Sequence, residues 1–223
     1  LLFDEVRAGN HVTAVERCEV KDIVRSAEHL TVSTSNGIVR TKIVVGADGA
    51  HSVVKRKLTS SRIDPALHSA GLRRYYQHVT GFNEGNFIEL YFLPGILPGY
   101  LWVFPLPGQR ANVGIGMLSA AVSAGRVNLA ETLEQALTSH PLLKGRFRNA
   151  VALERPHGHG LPLGNFNRPI SGERFILTGD AASLIDPFSG EGIGNAIRSG
   201  RFAAQQVAEC FRCNDFSALQ MRD

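Results

Sequence analysis

The sequence predicts a mixed α/β fold in which the chain leaves one domain, builds an antiparallel sheet and then returns. Three observations carry this. An apolar run, Ile43-Val44-Val45, ends at Gly46-Ala47-Asp48-Gly49, as a strand does when it hands over to a loop at a sheet edge. Residues 70–118 break into four short aromatic or β-branched segments bounded by Gly, Pro or Asn, the signature of antiparallel strands. A second apolar run, "RFILTGD", then precedes a small-residue helical stripe. A chain that departs and comes back in this way forms two domains.

Each element has its own local cause. Residues 10–45 read as strands, with "HLTVST", Asn36-Gly37 and "IVRTKIVV" giving a hairpin, because Asn-Gly accommodates the positive φ of a primed turn. The continuous run 43–45 fits a strand buried on both faces. The segments "LRRYYQHVTGF", "NFIELYFL", "YLWVFPLP" and "RANVGIGML" follow. Over 128–140 the period changes: Leu129, Leu133 and Leu137 recur every four residues, Asn128 and Glu131 have capping-box spacing, and Pro141 stops the helix. From Gly192 onward Ile193, Ala196, Ile197, Gly200, Ala204, Val207 and Phe211 share one helical stripe.

Composition narrows the function classes. The 223 residues are 43% hydrophobic and 20% charged, with a net charge of +4. The basic residues are scattered, without the stripe and interleaved aromatics of a nucleic-acid binder. The most apolar stretch, "YFLPGILPGYLWVFPLP", contains four prolines, and nothing reaches the roughly 18–20 apolar residues of a membrane span. Residues 1–15 show no basic n-region followed by an apolar stretch, and a cytoplasmic setting is the expectation. The cysteines are Cys18, Cys210 and Cys213. An odd count argues against a disulfide framework, and Cys210-Phe-Arg-Cys213 reads as two helix thiols. His157 and His159 in "RPHGHG" read as a loop pair without further ligands, so no metal site is expected. Asp186 before Pro187 suits turn initiation, whereas Glu191 fits either a ligand-facing or a solvent-facing position.

The stretch "GDAASLIDPFSGEGIGNAIRSG" (179–200) carries the chemistry. A strand stopping at Gly179-Asp180 sets a carboxylate at the carboxyl edge of a sheet, where α/β folds bind ligands. Gly190, Gly192 and Gly194 then leave main-chain N–H groups uncovered at a helix start, which favours negative charge. A reduced flavin, anionic at N1 and the C2 carbonyl, is one group such a helix start would stabilise; a bare glycine turn packing a helix on a sheet is the alternative.

This stretch resembles the second FAD-binding motif of flavoproteins with the para-hydroxybenzoate hydroxylase fold. "VVGADGAHSVVKRKL" (44–58) is similar to that superfamily's other hallmark, with Ser52 matching and Lys55 where Arg is usual. Within the superfamily, "DPFSGEGI" and "PGYLWVFP" (98–105), followed by "NVGIG" (112–116), resemble the geranylgeranyl reductase family. Aromatic-ring monooxygenases instead carry His at the position of Ser183 and Gly-Gln-Gly at 190–192. The resemblance implies an FAD-binding three-layer β/β/α domain split over 1–65 and 156–223, with an antiparallel-sheet substrate domain at 66–155 inserted.

The implied activity is FAD-dependent reduction of carbon–carbon double bonds in a prenyl, geranylgeranyl-type substrate, with NAD(P)H or another donor as reductant. An NAD(P)H-dependent monooxygenase or halogenase of the same fold, or a non-catalytic fragment, are the alternatives. By the resemblance Asp48, Gly179, Asp180, Pro187, Gly190, Gly192, Ile193 and Gly194 would bind the cofactor, and no catalytic side chain is assigned. Tyr100, Trp102 and Phe104 alternate along one strand and share a face; that face is either sheet core or, by the resemblance, the wall of the isoprenoid cavity. A small-molecule isoprenoid is the implied partner, and such a lipid substrate is compatible with peripheral contact with a membrane. Nothing before Gly46 corresponds to the family's Gly-x-Gly-x-x-Gly turn, so the sequence reads as an internal part of such a protein.

Overall fold

The computed structural model describes residues 2–61, 64–164 and 168–222. The chain opens with α1 (Leu2–Ala8) and then forms β1 (Val20–Arg25), β2 (Leu30–Thr34) and β3 (Gly37–Thr41), an antiparallel sheet in that order. Thr34 pairs with Gly37, so Ser35 and Asn36 form the two-residue turn, one position earlier than Asn36-Gly37. Thr34 Oγ1 donates to Gly37 O at 2.8 Å and accepts from Asn36 N–H at 3.1 Å, closing it. The run expected to be one strand is two: β3 ends at Thr41, and β4 (Val44–Gly46) joins a different sheet. β4 is also not buried on both faces, since it is an edge strand and Val45 is exposed. α2 (Val53–Leu58) follows, with Ser52 Oγ accepting from Lys55 N–H as its N-cap.

The middle of the chain forms β5 (His68–Gln77), β6 (Glu89–Tyr91), β7 (Gly99–Leu106) and β8 (Arg110–Leu118), then α3 (Ser119–Gly125) and α4 (Leu129–Ser139). α3 has no counterpart in the sequence reading; its run of small residues shows no apolar period. α4 starts as expected: Asn128 Oδ1 accepts from the N–H groups of Ala130 and Glu131. β9 (Val151–Ala152) and β10 (His157–Pro162) complete an antiparallel sheet ordered β10-β5-β8-β7-β6, with β9 also on β5. One face closes the core: Leu101, Val103, Val113 and Ile115 are fully buried and cluster with Leu133 and Leu137 of α4. Glu89, Tyr91 and Arg146 form a polar knot, with Arg146 Nη1 donating to Glu89 Oε2 at 2.5 Å and to Tyr91 Oη at 2.6 Å.

The return segment forms β11 (Ser171–Gly172) and β12 (Phe175–Leu177), giving a sheet ordered β11-β12-β4 in which β12 and β4 are parallel. A 3-10 turn, Gly179–Ala182, and α5 (Ile193–Cys213) follow. α2 packs close because Gly46 has no side chain; a Cβ there would stand 2.7 Å from Leu177 and 2.9 Å from Val54. The apolar stripe assigned to α5 is not its packed face: Ile193, Ile197 and Phe211 are exposed, while Ala203 and Cys210 are buried. Cys210 sits in a cluster with Phe216, Met221, Ile43 and Ile176, which the local period does not disclose.

Two compact units result. The described residues within Leu1–Ser61, Arg168–Ala182 and Ile197–Asp223 form one, and those within Arg62–Asn167 and Ser183–Ala196 the other. The boundaries differ from 66–155 and 156–223. β10 pairs with β5 along its whole length, from His157↔Arg73 to Pro162↔His68, and so belongs to the antiparallel sheet. Residues 183–196 join the same unit: Leu163 bridges Ile185, Gly164 N–H donates to Ile185 O at 2.7 Å, and Tyr100 Oη donates to Ser189 O. Among the described residues no helix is long and apolar enough to cross a membrane.

Candidate functional site

In the first unit, Asp48 and Asp180 follow the carboxyl ends of the parallel neighbours β4 and β12. Asp48 serves the scaffold: Oδ2 accepts from Val53 N–H at 2.7 Å and Val54 N–H at 3.2 Å, holding the start of α2. A carboxylate has about four acceptor sites, so this use leaves the second oxygen for another donor. Gly179 adopts φ 54° and its N–H donates to Ser199 Oγ at 3.0 Å. The turn needs glycine there, and it sets Asp180 half-buried in the next position.

In the second unit, Pro187, Gly190, Gly192, Ile193 and Gly194 lie on the loop and helix start after Ile185. Asp186 Oδ1 accepts from Phe188 N–H at 3.2 Å and from Ser189 N–H and Oγ at 2.7 Å. The Ser189 bonds hold its carboxyl below the ordinary carboxylate range, and the turn role expected of Asp186 is what the geometry shows. Gly190 has φ 72°, and a Cβ there would stand 2.5 Å from Tyr100 Oη. Both conformation and space demand glycine. Glu191 Oε1 accepts from Gly194 N–H at 2.5 Å. The helix start therefore already takes an anionic oxygen, although that donor is occupied by Glu191 rather than uncovered.

The other face of the antiparallel sheet lines two cavities. The alternation of β7 sends Leu101 and Val103 to the core and Tyr100, Trp102 and Phe104 to this face, so the aromatic stripe is not sheet core. Successive ring centroids are 6.2 Å (Tyr100–Trp102) and 6.1 Å (Trp102–Phe104) apart, within range for favourable ring–ring contact. Trp102 Nε1 donates to Asn112 Oδ1 at 3.0 Å. Its indole lies over Gly114, where a Cβ would stand 2.2 Å from Cζ2. Trp102 thus covers Gly114, and a Cβ on Gly71 would stand 3.2 Å from Leu161. The larger cavity, about 610 Å³, is walled by all three aromatics together with Gly190, Gly192 and Ile193. The smaller, about 250 Å³, shares Tyr100, Trp102 and Gly190 and adds Pro187. Burial and the charge of Asp186 push the Tyr100 phenol up from its ordinary value.

Sequence reasoning missed the opposite wall. His157 and His159 are not loop residues: they stand on β10, facing the larger cavity with Arg73 and Leu161. The signal was present in "HGHGL", a period-two pattern with glycines between. The two C-terminal thiols stay separate. Cys210 is buried 3.3 Å from the Met221 sulfur, whereas exposed Cys213 donates to Glu209 at 3.1 Å.

This combination of sheets and loops is the fold of flavin-dependent oxidoreductases. The flavin-dependent halogenase CmlS aligns with a TM-score of 0.75 over 95% of this chain and 39% of its own, at 22% identity. The flavin-dependent brominase Bmp2 aligns at 0.73 over 88% of this chain and 51% of its own, at 20% identity. These likenesses are of fold alone. A geranylgeranyl bacteriochlorophyll reductase-like protein of Thermoplasma acidophilum reaches a TM-score of 0.80 over 92% of this chain and 51% of its own, at 28% identity. No protein-family model matches the chain.

In sequence, the digeranylgeranylglycerophospholipid reductase of Thermoplasma volcanium is 35% identical over 185 residues, covering 82% of this chain and 45% of the relative. That of Methanosarcina mazei is 29% identical over 235 residues, covering 100% of this chain and 55% of the relative. The chain spans about half the length of the curated relatives it matches. It is a part-length homologue of the geranylgeranyl reductase family.

Proposed function

We propose that this chain is the substrate-cavity part of an FAD-dependent reductase that saturates carbon–carbon double bonds of a prenyl chain. The observation that carries this is the cavity of about 610 Å³, one side of which is the aromatic column Tyr100, Trp102 and Phe104. Its size falls in the usual range for small-molecule sites, roughly 300–1,000 Å³. The aromatic rings, with Ile88, Leu90, Leu161 and Ile193, offer an apolar surface. When bound, the flavin supplies the reducing equivalents, drawn from NAD(P)H or another donor.

For the first unit we propose Asp48, Gly179 and Asp180 as flavin contacts on motif position. For the second we propose Pro187, Gly190, Gly192, Ile193 and Gly194, supported by the capacity of the α5 start to hold an anionic oxygen. Tyr100, Trp102 and Phe104 exclude water from the substrate and align it along the sheet. A substrate of this kind implies peripheral contact with the membrane that supplies it.

The test uses full-length flavoprotein reduced with dithionite under anaerobic conditions. A geranylgeranyl substrate should reoxidise the flavin and gain one H2 per double bond by mass spectrometry. No mass gain with any prenyl substrate, together with oxygen-dependent NAD(P)H consumption on an aromatic substrate, would favour the monooxygenase or halogenase reading instead.

A further inference from the structure

The three rings of the aromatic column do not play one part. Trp102 Nε1 donates to Asn112 Oδ1 within the sheet, and Phe104 has no polar side-chain atom. Tyr100 reaches out of the sheet: its Oη donates to Ser189 O on the loop before α5. The contact is close, because a Cβ on Gly190 would stand 2.5 Å from that same oxygen. The ring behind it is braced by Phe92 and Trp102, whose centroids lie 5.7 Å and 6.2 Å from its own. Burial and the charge of Asp186 push the phenol up from its ordinary value, so it stays protonated and able to donate.

The loop it meets is otherwise bonded to itself. Asp186 N–H donates to Glu191 O at 2.8 Å, Gly190 N–H to Asp186 O at 2.9 Å, and Glu191 N–H to Ser189 Oγ at 3.2 Å. With the bonds to the Asp186 carboxylate, these close residues 186–191 into one turn. Among the described residues, the Tyr100 hydroxyl makes the one hydrogen bond between that turn and the antiparallel sheet. Internal bonds fix the shape of a turn; a bond from outside fixes its position. Tyr100 and Gly190 line both cavities, so their contact borders each of them.

We propose that Tyr100 is a positioning residue whose hydroxyl fixes the 186–191 turn against the antiparallel sheet and so sets where Gly190, Gly192 and Gly194 meet the flavin. The inference rests on the flavin contacts proposed above for this turn and the α5 start, and adds to them the strut that places them. The ring of Tyr100 lines the cavities, and its oxygen serves the turn.

Tyr100→Phe in the full-length flavoprotein separates the two roles, because the ring remains. Amide hydrogen exchange should become faster in the peptide covering 186–191 and stay unchanged in β7 and β8. FAD release, followed by flavin fluorescence on dilution of the holoenzyme, should show an affinity about fivefold lower, the worth of one ordinary hydrogen bond. The flavin midpoint potential should fall as well, because the α5 start then favours the reduced, anionic form less. A general loss of stability would leave the potential of the bound flavin where it was. Gly190→Ala should weaken FAD by more than Tyr100→Phe, since its Cβ meets the Tyr100 oxygen. The two together should cost less than the product of their separate effects, because the next ring atom lies 3.7 Å away, an ordinary contact.

Unchanged exchange of the turn in Tyr100→Phe overturns the strut. Faster exchange with FAD affinity and potential both unchanged also overturns the inference, and locates the failure in the flavin contacts of the turn rather than in the Tyr100 bond. Fully multiplicative effects of the two substitutions would show that the Tyr100 oxygen is not what excludes a side chain at 190, and the strut falls on that result too.

Discussion

The two faces of the antiparallel sheet come from the same strands and do opposite work. On the core face, Leu101, Val103, Val113 and Ile115 are completely buried against α4. On the cavity face, their immediate neighbours Tyr100 and Trp102 line open space, and Gly114 makes room for the Trp102 indole. The strand period of two separates stability from ligand capacity residue by residue. The core face is filled with aliphatic side chains that interdigitate. The cavity face combines wide rings with glycines, so that volume stands on one strand and is withheld from the next. Substitutions at adjacent positions should therefore report different properties.

The largest contrast is expected at β7. Leu101→Ala on the core face should cost about 2–5 kcal/mol in chemical denaturation, because it leaves a hole in a packed cluster. Its effect on ligand affinity should come only through that loss of stability. An intact midpoint in Leu101→Ala would break the assignment of this face as core.

The Glu89–Arg146 pair tests the same core face through its charges. Burial pushes Glu89 up, but the bonds from Arg146 and Tyr91 outweigh it, and its carboxyl lies below the ordinary value. The folded state thus prefers the ionised form. That contribution is fully present above the unfolded-state value near 4.3 and is lost as pH falls through the lower folded one. Stability should decline below about pH 4.5, and Glu89→Gln should flatten this decline. The same substitution should cost about 1.5–3 kcal/mol at neutral pH, the worth of a hydrogen bond to a charged group. An unchanged pH profile in Glu89→Gln would remove Glu89 from that account.

Gly114→Ala tests the cavity face directly. Its Cβ would stand 2.2 Å from the Trp102 ring and 2.5 Å from Leu72 O. Displacing the indole should cost about 1–3 kcal/mol, and prenyl binding should weaken by more than the stability loss explains. The smallest effect is expected for Trp102→Phe, which loses the bond to Asn112 and about 1 kcal/mol. If Trp102→Phe unfolded the protein as severely as Leu101→Ala, the division between the faces would be wrong.

Legibility in the sequence followed the range of the cause. α4 was readable because its leucines and the Asn128 cap act within a few residues. The Asp186 turn was readable for the same reason, whereas the approach of Tyr100 that helps demand glycine at 190 is long-range. The packed face of α5 was not, because what buries Cys210 while Ile197 and Phe211 stay exposed is a cluster with Phe216, Met221, Ile43 and Ile176. Asp48 was recognised as a motif residue, yet its bonds to Val53 and Val54 depend on how the loop closes on α2.

The sequence by itself determined that Tyr100, Trp102 and Phe104 share one face of a strand, since side-chain alternation is a local property of the extended backbone. It also determined the glycine positions of "NVGIG". Only the tertiary structure decided which face is core, because that depends on where α4 docks. It alone placed His157 and His159 opposite the aromatics, through the pairing of β10 with a strand more than eighty residues earlier. Backbone periodicity is written into neighbouring residues; strand partnership is settled by competition among distant segments for the same hydrogen bonds.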